Sequence, residues 1–219
     1  LDVYSNSSAA DTLEFKIWDA STGSIFVDVT PDDITFVTDG LEGSLLNPQQ
    51  FDAYSKVQEN YALQPGWNWV SFHLGTTDTL HLATLLSSLE LQDGDQIKTL
   101  GNNTFATYST TYGWLGNLRN TGVNLAKGYK IKLSNADTLV NIGDVVDPTT
   151  IPITINQGWN WIGFVSIRPM NINVALGNLE PQSGDLIKGR AQFSVYDEQL
   201  GWIGSLNTLY PNQSYMYKS

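Results

Sequence analysis

The chain contains no cysteine, which excludes a disulfide framework, a thiolate metal site and a thiol nucleophile together. Histidine is nearly as scarce. His73 and His81 are the only two, and they form neither a His-x-x-x-His nor a His-Glu-x-x-His spacing, so a transition-metal centre has no ligand set. Eleven Lys plus Arg against 22 Asp plus Glu give a net charge of −11, and phosphate contacts need a basic surface. Nucleic acid and an anionic membrane are therefore not expected as partners. No apolar run approaches the ~20 residues of a membrane span, so no membrane insertion is expected, and nothing at the start reads as a signal peptide. The first residue is Leu1 rather than Met, which is read as processing or as part of a longer protein. A phosphate-binding loop, a dinucleotide fingerprint and a Gly-x-Ser-x-Gly elbow are all missing, and no cofactor is expected.

What is present is a repeat. Gly66-Trp67-Asn68-Trp69-Val70-Ser71-Phe72 returns as Gly158-Trp159-Asn160-Trp161-Ile162-Gly163-Phe164. The run from Leu89 to Lys98 answers to that from Leu179 to Lys188. Phe105, Tyr108, Gly113, Trp114, Gly116 and Leu118 then meet Phe193, Tyr196, Gly201, Trp202, Gly204 and Leu206, and Tyr129 and Lys132 meet Tyr215 and Lys218. The offset changes only in stretches rich in Gly, Asn or Pro, where surface loops tolerate insertion. With 41% hydrophobic and 11% aromatic residues over 219, each copy has the material for a core.

The expected fold is mainly β with short helices, two small α+β modules preceded by a β-hairpin or sandwich-like unit. Residues 1–56 form the all-β unit, 57–143 the first module, 144–150 a linker and 151–219 the second. Thr12–Trp18 and Ser24–Val29 alternate around Gly23 as a hairpin, and Asp33–Val37 adds a strand. Leu82, Leu85, Leu86 and Leu89 stand at i, i+3, i+4 and i+7, matched by Ile172, Ala175, Leu176 and Leu179. That period predicts a short helix in each copy, with Asp78 and Asn171 near the N-cap. In Trp-Asn-Trp the alternation predicts a strand with both indoles on the buried face. After Ser134–Asp137 the first copy continues into a further strand, Thr138–Ile142, whereas the second stops at Ser219. An unpaired edge is then expected there, to be completed by another chain or by more of this one.

Candidate chemistry is sparse. Glu90 with Asp95, and Glu180 with Asp185, recur as paired carboxylates of the kind glycoside hydrolysis uses. Gln-x-Gly-Asp between a helix and a strand reads better as turn chemistry, with Asp bonding the local backbone. Asp93 and Asp95 offer a minimal calcium loop, but Asp93 becomes Ser183 in the second copy. Among the aromatic residues, Trp114 and Trp202 in their Gly-Trp-x-Gly turns, with Tyr108 and Tyr196 beside them, are the candidates for stacking on a glycan.

The strings Asp11–Gly23, Gly-Trp-Asn-Trp-Val-Ser-Phe, Gly-Asp-x-Ile-Lys, Phe-x-x-Tyr, Gly-Trp-x-Gly-x-Leu and Gly-Tyr-Lys-Ile-Lys together resemble modules of large secreted or cell-surface proteins of Bacteroidota, commonly exported by the type IX secretion system. The resemblance spans nearly the whole chain. It implies an extracellular, non-enzymatic, structural or adhesive building block whose partners are other copies or modules, with glycan binding as the rival reading. It also implies O-glycosylation at Asp-Thr-apolar sequences, here Thr12, Thr79 and Thr138.

Overall fold

The computed structural model describes residues 17–19, 24–26, 28–30, 52–54, 56–75 and 80–219. The chain divides into two compact units, Leu1–Lys56 and Val57–Ser219. In the first, β1 (Ile17–Asp19) pairs antiparallel with β2 (Ser24–Phe26), in the register expected of a hairpin around Gly23. β3 (Asp28–Thr30) pairs with β4 (Asp52–Tyr54). The expected strand Asp33–Val37 lies outside the described residues, as do Asp78, Thr12 and Thr79.

The second unit contains both repeats and is mainly β. The first copy supplies β5 (Lys56–Leu63), β6 (Gly66–Val70), β7 (Leu74–Gly75), α1 (Leu82–Leu85), β8 (Gln96–Lys98), β9 (Phe105–Ser109), β10 (Gly113–Leu115), α2 (Asn117–Thr121), β11 (Tyr129–Leu133) and β12 (Asp137–Val145). The second supplies β13 (Trp159–Ile162), β14 (Met170–Asn171), α3 (Ile172–Ala175), β15 (Leu186–Lys188), β16 (Phe193–Asp197), β17 (Gly201–Gly204), β18 (Thr208–Leu209) and β19 (Tyr215–Lys218).

Each copy builds the same five-stranded antiparallel sheet, β10-β9-β8-β11-β6 and β17-β16-β15-β19-β13. The register is conserved between them: Tyr129 opposes Val70 and Lys130 opposes Trp69, as Tyr215 opposes Ile162 and Met216 opposes Trp161. One apolar core backs each sheet, centred on Ile97, Ile131 and Phe72 in the first and on Ile187, Tyr215 and Tyr217 in the second. Both copies fix the entry to the central strand in one way. The Tyr129 hydroxyl accepts from Asn124 N at 2.8 Å, and the Tyr215 hydroxyl accepts from Tyr210 N at 2.7 Å. Burial raises both phenols, Tyr215 to about 12.

The helices are shorter than the leucine spacing predicts. α1 and α3 are single turns of four residues each, after which the chain runs on as turns through Leu89 and Leu179. In the first copy the Ser87 hydroxyl donates to Thr84 O, a local bond that competes with helix continuation. All four leucines are nevertheless buried. Asn171 does cap α3, accepting from Asn173 N, whereas His81 occupies the cap of α1 without a side-chain bond.

The phase of the Trp-Asn-Trp strand differs from the expectation. Asn68, Val70 and Phe72 point into the core, and the indoles point outward. Burying an amide requires partners, and the preceding loop supplies them. Asn68 Oδ1 accepts from Gln64 N at 2.9 Å, and Nδ2 donates to Gln64 O at 2.7 Å and Gly66 O at 3.1 Å. Asn160 repeats the set with Asn156 N, Asn156 O and Gly158 O.

The first copy has a second sheet, β5-β12-β7, that closes its core, with Leu139 of β12 fully buried. In the second copy the residues equivalent to β5 and β7 form no strand. The C-terminal strand itself is not an edge: β19 is paired on both sides, by β13 and β15. What the second copy lacks is the closing strand of the other sheet.

Candidate functional site

The two copies meet along a seam related by an approximate two-fold axis. Ser71 N donates to Asn212 O at 3.3 Å, and at the equivalent place Gly163 N donates to Ala126 O at 3.0 Å. Gly128 N donates to Trp161 O at 3.0 Å, so the strand entering β11 extends the edge of β13. Gly128 and Ser214, which are equivalent positions, face each other at the axis; a Cβ on Gly128 would stand 2.8 Å from that of Ser214. Ser71 Oγ donates to Gln213 O and Ser214 Oγ to Tyr129 O, so both hydroxyls cross the seam. An isologous contact of this kind is what two copies of one surface make on each other.

Beside the axis, His73 is fully buried with its Nε2 3.6 Å from Glu59 Oε1, and Asn212 donates to Glu59 Oε2 at 3.2 Å. Burial lowers the imidazole below its ordinary value, and Glu59 offsets that in part. Two equivalent clefts flank the seam. One of about 470 Å³ is lined by Asn60, Trp69, Arg190, Gln192 and Asn212 among others, and one of about 330 Å³ by Thr154, Asn156, Trp161, Asn124 and Lys127 among others. Amides and one cation dominate each. Neither lining contains a carboxylate or an imidazole, so neither presents the acid pair of glycoside hydrolysis.

The acids singled out from the sequence are occupied by the turns they close. Asp95 is buried; its Oδ2 accepts from Gln92 N and its Oδ1 from Ser134 N and Oγ. Asp185 accepts from Gln182 N and from the Tyr217 hydroxyl at 2.6 Å. Gly94 and Gly184, at φ +88° and +97°, make the tight turn between acid and strand. Asp93 is exposed and accepts from Thr110 N and Oγ1, bonds that hold its carboxyl below the usual range. Glu90 and Glu180 are exposed. Among the described residues no group of three metal-ligating side chains occurs.

The glycan candidates pack inward. Trp114 is 5% exposed and lies edge-on to Tyr108, with ring centroids 5.3 Å apart. Trp202 and Tyr196 repeat the pair at 5.2 Å, and Trp202 also meets Tyr217. The Trp114 face is therefore spent on the core, and Trp202 is half-buried against the second one. Thr138 is exposed on β12, next to Asp137, whose Oδ2 accepts from Glu90 N.

Sequence reasoning missed the outward face of the two sheets. There Lys98 Nζ sits 4.2 Å from the ring centre of Trp67, and Lys188 Nζ 4.6 Å from that of Trp159. Lys130 lies between the copies, 4.1 Å from Trp69 and 4.4 Å from Trp161. Its equivalent is Met216, so one lysine serves both indoles across the axis. Burial, then repulsion from Lys98 and Lys188, holds the Lys130 ammonium below the ordinary lysine range. The signal that could have found this face was the alternation Lys130-Ile131-Lys132 opposite Trp67-Asn68-Trp69.

Comparison with known protein families, curated proteins and solved structures gives no match to this chain. Among the described residues no helix is long and apolar enough to cross a membrane.

Proposed function

We propose that this chain is a non-catalytic structural or adhesive element of an extracellular assembly, related to the Bacteroidota surface modules its motifs resemble. Its partners are further copies or modules, joined by strand addition. The observation that supports this reading is the difference between the two cores. In the first copy β12 lies between β5 and β7, anchored by Val140 N donating to Ser88 Oγ and by Asp137 at Glu90 N. Leu86 and Tyr61 are there 1% and 4% exposed. Their equivalents Leu176 and Ile153 are part-buried and 37% exposed, and Ile167, equivalent to Gly75, is 40% exposed. An extended segment alternating as Leu139-Asn141-Gly143 does would cover these groups in the second copy. Backbone pairing would give such an addition affinity and the alternate side chains its register.

The test is a synthetic peptide of residues 134–146 titrated onto the intact chain, read by amide hydrogen exchange. Slower exchange in residues 151–157 and 172–179 supports strand addition. Unchanged exchange at saturating peptide, or protection confined to the first copy by displacement of its own β12, counts against it.

A further inference from the structure

The outward face of the paired sheets has a composition at odds with the rest of the chain. Strand alternation puts Trp67, Trp69, Lys130, Lys132, Gln96, Lys98, Phe105, Thr107 and Leu115 on it from the first copy. The second copy adds Trp159, Trp161, Met216, Lys218, Leu186, Lys188, Phe193, Val195, Asp197 and Ile203. Five of the protein's eleven basic residues thus share a face with one carboxylate, in a chain of net charge −11. That carboxylate, Asp197, stands at the far end of β16 and accepts from Gln199 N and Leu200 N. None of the five lysines lies within 4.0 Å of a carboxylate of the described residues. The apolar groups are open to solvent too: Trp159, Phe105, Phe193, Leu115 and Ile203 are all exposed. Scattered exposed apolar groups are ordinary, but an aromatic and aliphatic face that runs across both sheets marks an interaction site.

We propose that this face binds an acidic polysaccharide, a polyuronate, with carboxylates on Lys98, Lys130 and Lys188 and sugar rings against the indoles between them. The three ammoniums are spaced across the seam rather than clustered at one point, and each is held in place by the ring beneath it, so little ordering cost remains on binding. They repel one another with no acid among them, and a polymer carrying one carboxylate per sugar relieves that repulsion. The flat indole faces and the exposed Phe105 and Phe193 suit the C–H faces of pyranose rings. Nucleic acid fits less well, because its phosphates would crowd against the acidic remainder of the chain. A lipid surface fits less well because the rings lie flat on a sheet and do not project. The inference is independent of strand addition, which concerns the opposite side of the second sheet.

The test uses the full chain and two polymers with one backbone, polygalacturonate and its methyl ester, by affinity electrophoresis and isothermal titration calorimetry. Binding to polygalacturonate, weakened by salt and absent for the ester, is expected. The triple variant Lys98→Gln, Lys130→Gln, Lys188→Gln lowers affinity about tenfold or more, as three ion pairs of a few-fold each would. Removing like charges should leave its melting temperature no lower; if it fails to fold, Lys98→Gln alone is read for a few-fold loss. Arg119→Gln, on α2, leaves binding unchanged. Equal binding of both polymers, binding of neither, retention in the lysine variants, or preference for phosphatidylglycerol vesicles or single-stranded DNA would each overturn the proposal.

Discussion

Replacing Gly163 by alanine would put a methyl group 2.2 Å from the carbonyl oxygen of Leu125, 3.1 Å from that of Lys127 and 3.3 Å from the carbonyl carbon of Ala126. All three are backbone atoms, so no side chain can rotate away. The equivalent residue in the first copy is Ser71, whose side chain instead reaches Gln213 O, so the requirement is set by the seam and not by the strand. Overpacking of this sort costs roughly 1–3 kcal/mol. Losing the bond from Gly163 N to Ala126 O adds about 1 kcal/mol. The sum, about 2–4 kcal/mol, corresponds to a fall of roughly 5–15 °C in melting temperature for a unit of this size. Gly189→Ala is the control: its methyl meets only the Tyr215 ring at 3.5 Å, an ordinary contact. Its effect should lie within about 1 kcal/mol of zero. Differential scanning calorimetry on both variants decides. A Gly163→Ala melting temperature within a degree of the parent, or an equal fall in Gly189→Ala, refutes a tight seam.

Three further outcomes follow from the packing. His73 is buried with its imidazole lowered, so the unfolded chain takes up a proton near its ordinary value of 6.5 while the folded chain does not. Urea stability should therefore decline as pH falls below about 6.5, by at most ~1.4 kcal/mol per pH unit, and His73→Gln should flatten that slope. The lowered Asp93 and Asp147 act in a separate window, their contribution being lost only as pH falls below the usual carboxylate value of 3.8. Asn68→Ala removes three loop bonds at a buried position and should cost about 2–4 kcal/mol in urea denaturation, with Asn160→Ala alike. Acrylamide should quench Trp159, 40% exposed, and spare Trp114, so Trp159→Phe lowers the quenchable fraction and Trp114→Phe does not.

The parts of the fold carried by local pattern were legible. Equal spacing of Gly, Trp and Tyr in two copies corresponds to equal sheet order and register, and Gln-x-Gly-Asp is the turn its residues suggest. The phase of Trp67-Asn68-Trp69 was not legible, because the choice depends on distant groups. The loop of Gln64 and Gly66 satisfies the inward Asn68, and Lys98, some thirty residues on, covers the outward Trp67. Hydrophobicity alone favours the opposite phase. Trp114 and Trp202 looked open because they sit between glycines, yet the hairpins of β9 with β10 and β16 with β17 fold them onto Tyr108 and Tyr196. The seam left no trace in the sequence except the exchange of Ser71 for Gly163, whose meaning appears only once both edges are in place.

The account stands most directly on the second copy being a module that takes one more strand. Ser219 aligns with Leu133, so a copy of residues 134–146 appended after Ser219 enters at the position β12 occupies in the first copy. Hydrogen exchange and calorimetry on that extended chain give the decisive comparison. Covering Ile153, Leu176 and their neighbours, at about 1.5–3 kcal/mol for each side chain fully sealed, should raise the melting temperature by several degrees and slow exchange in residues 151–157. An appended strand that stays fast-exchanging and leaves the melting temperature unchanged would contradict it.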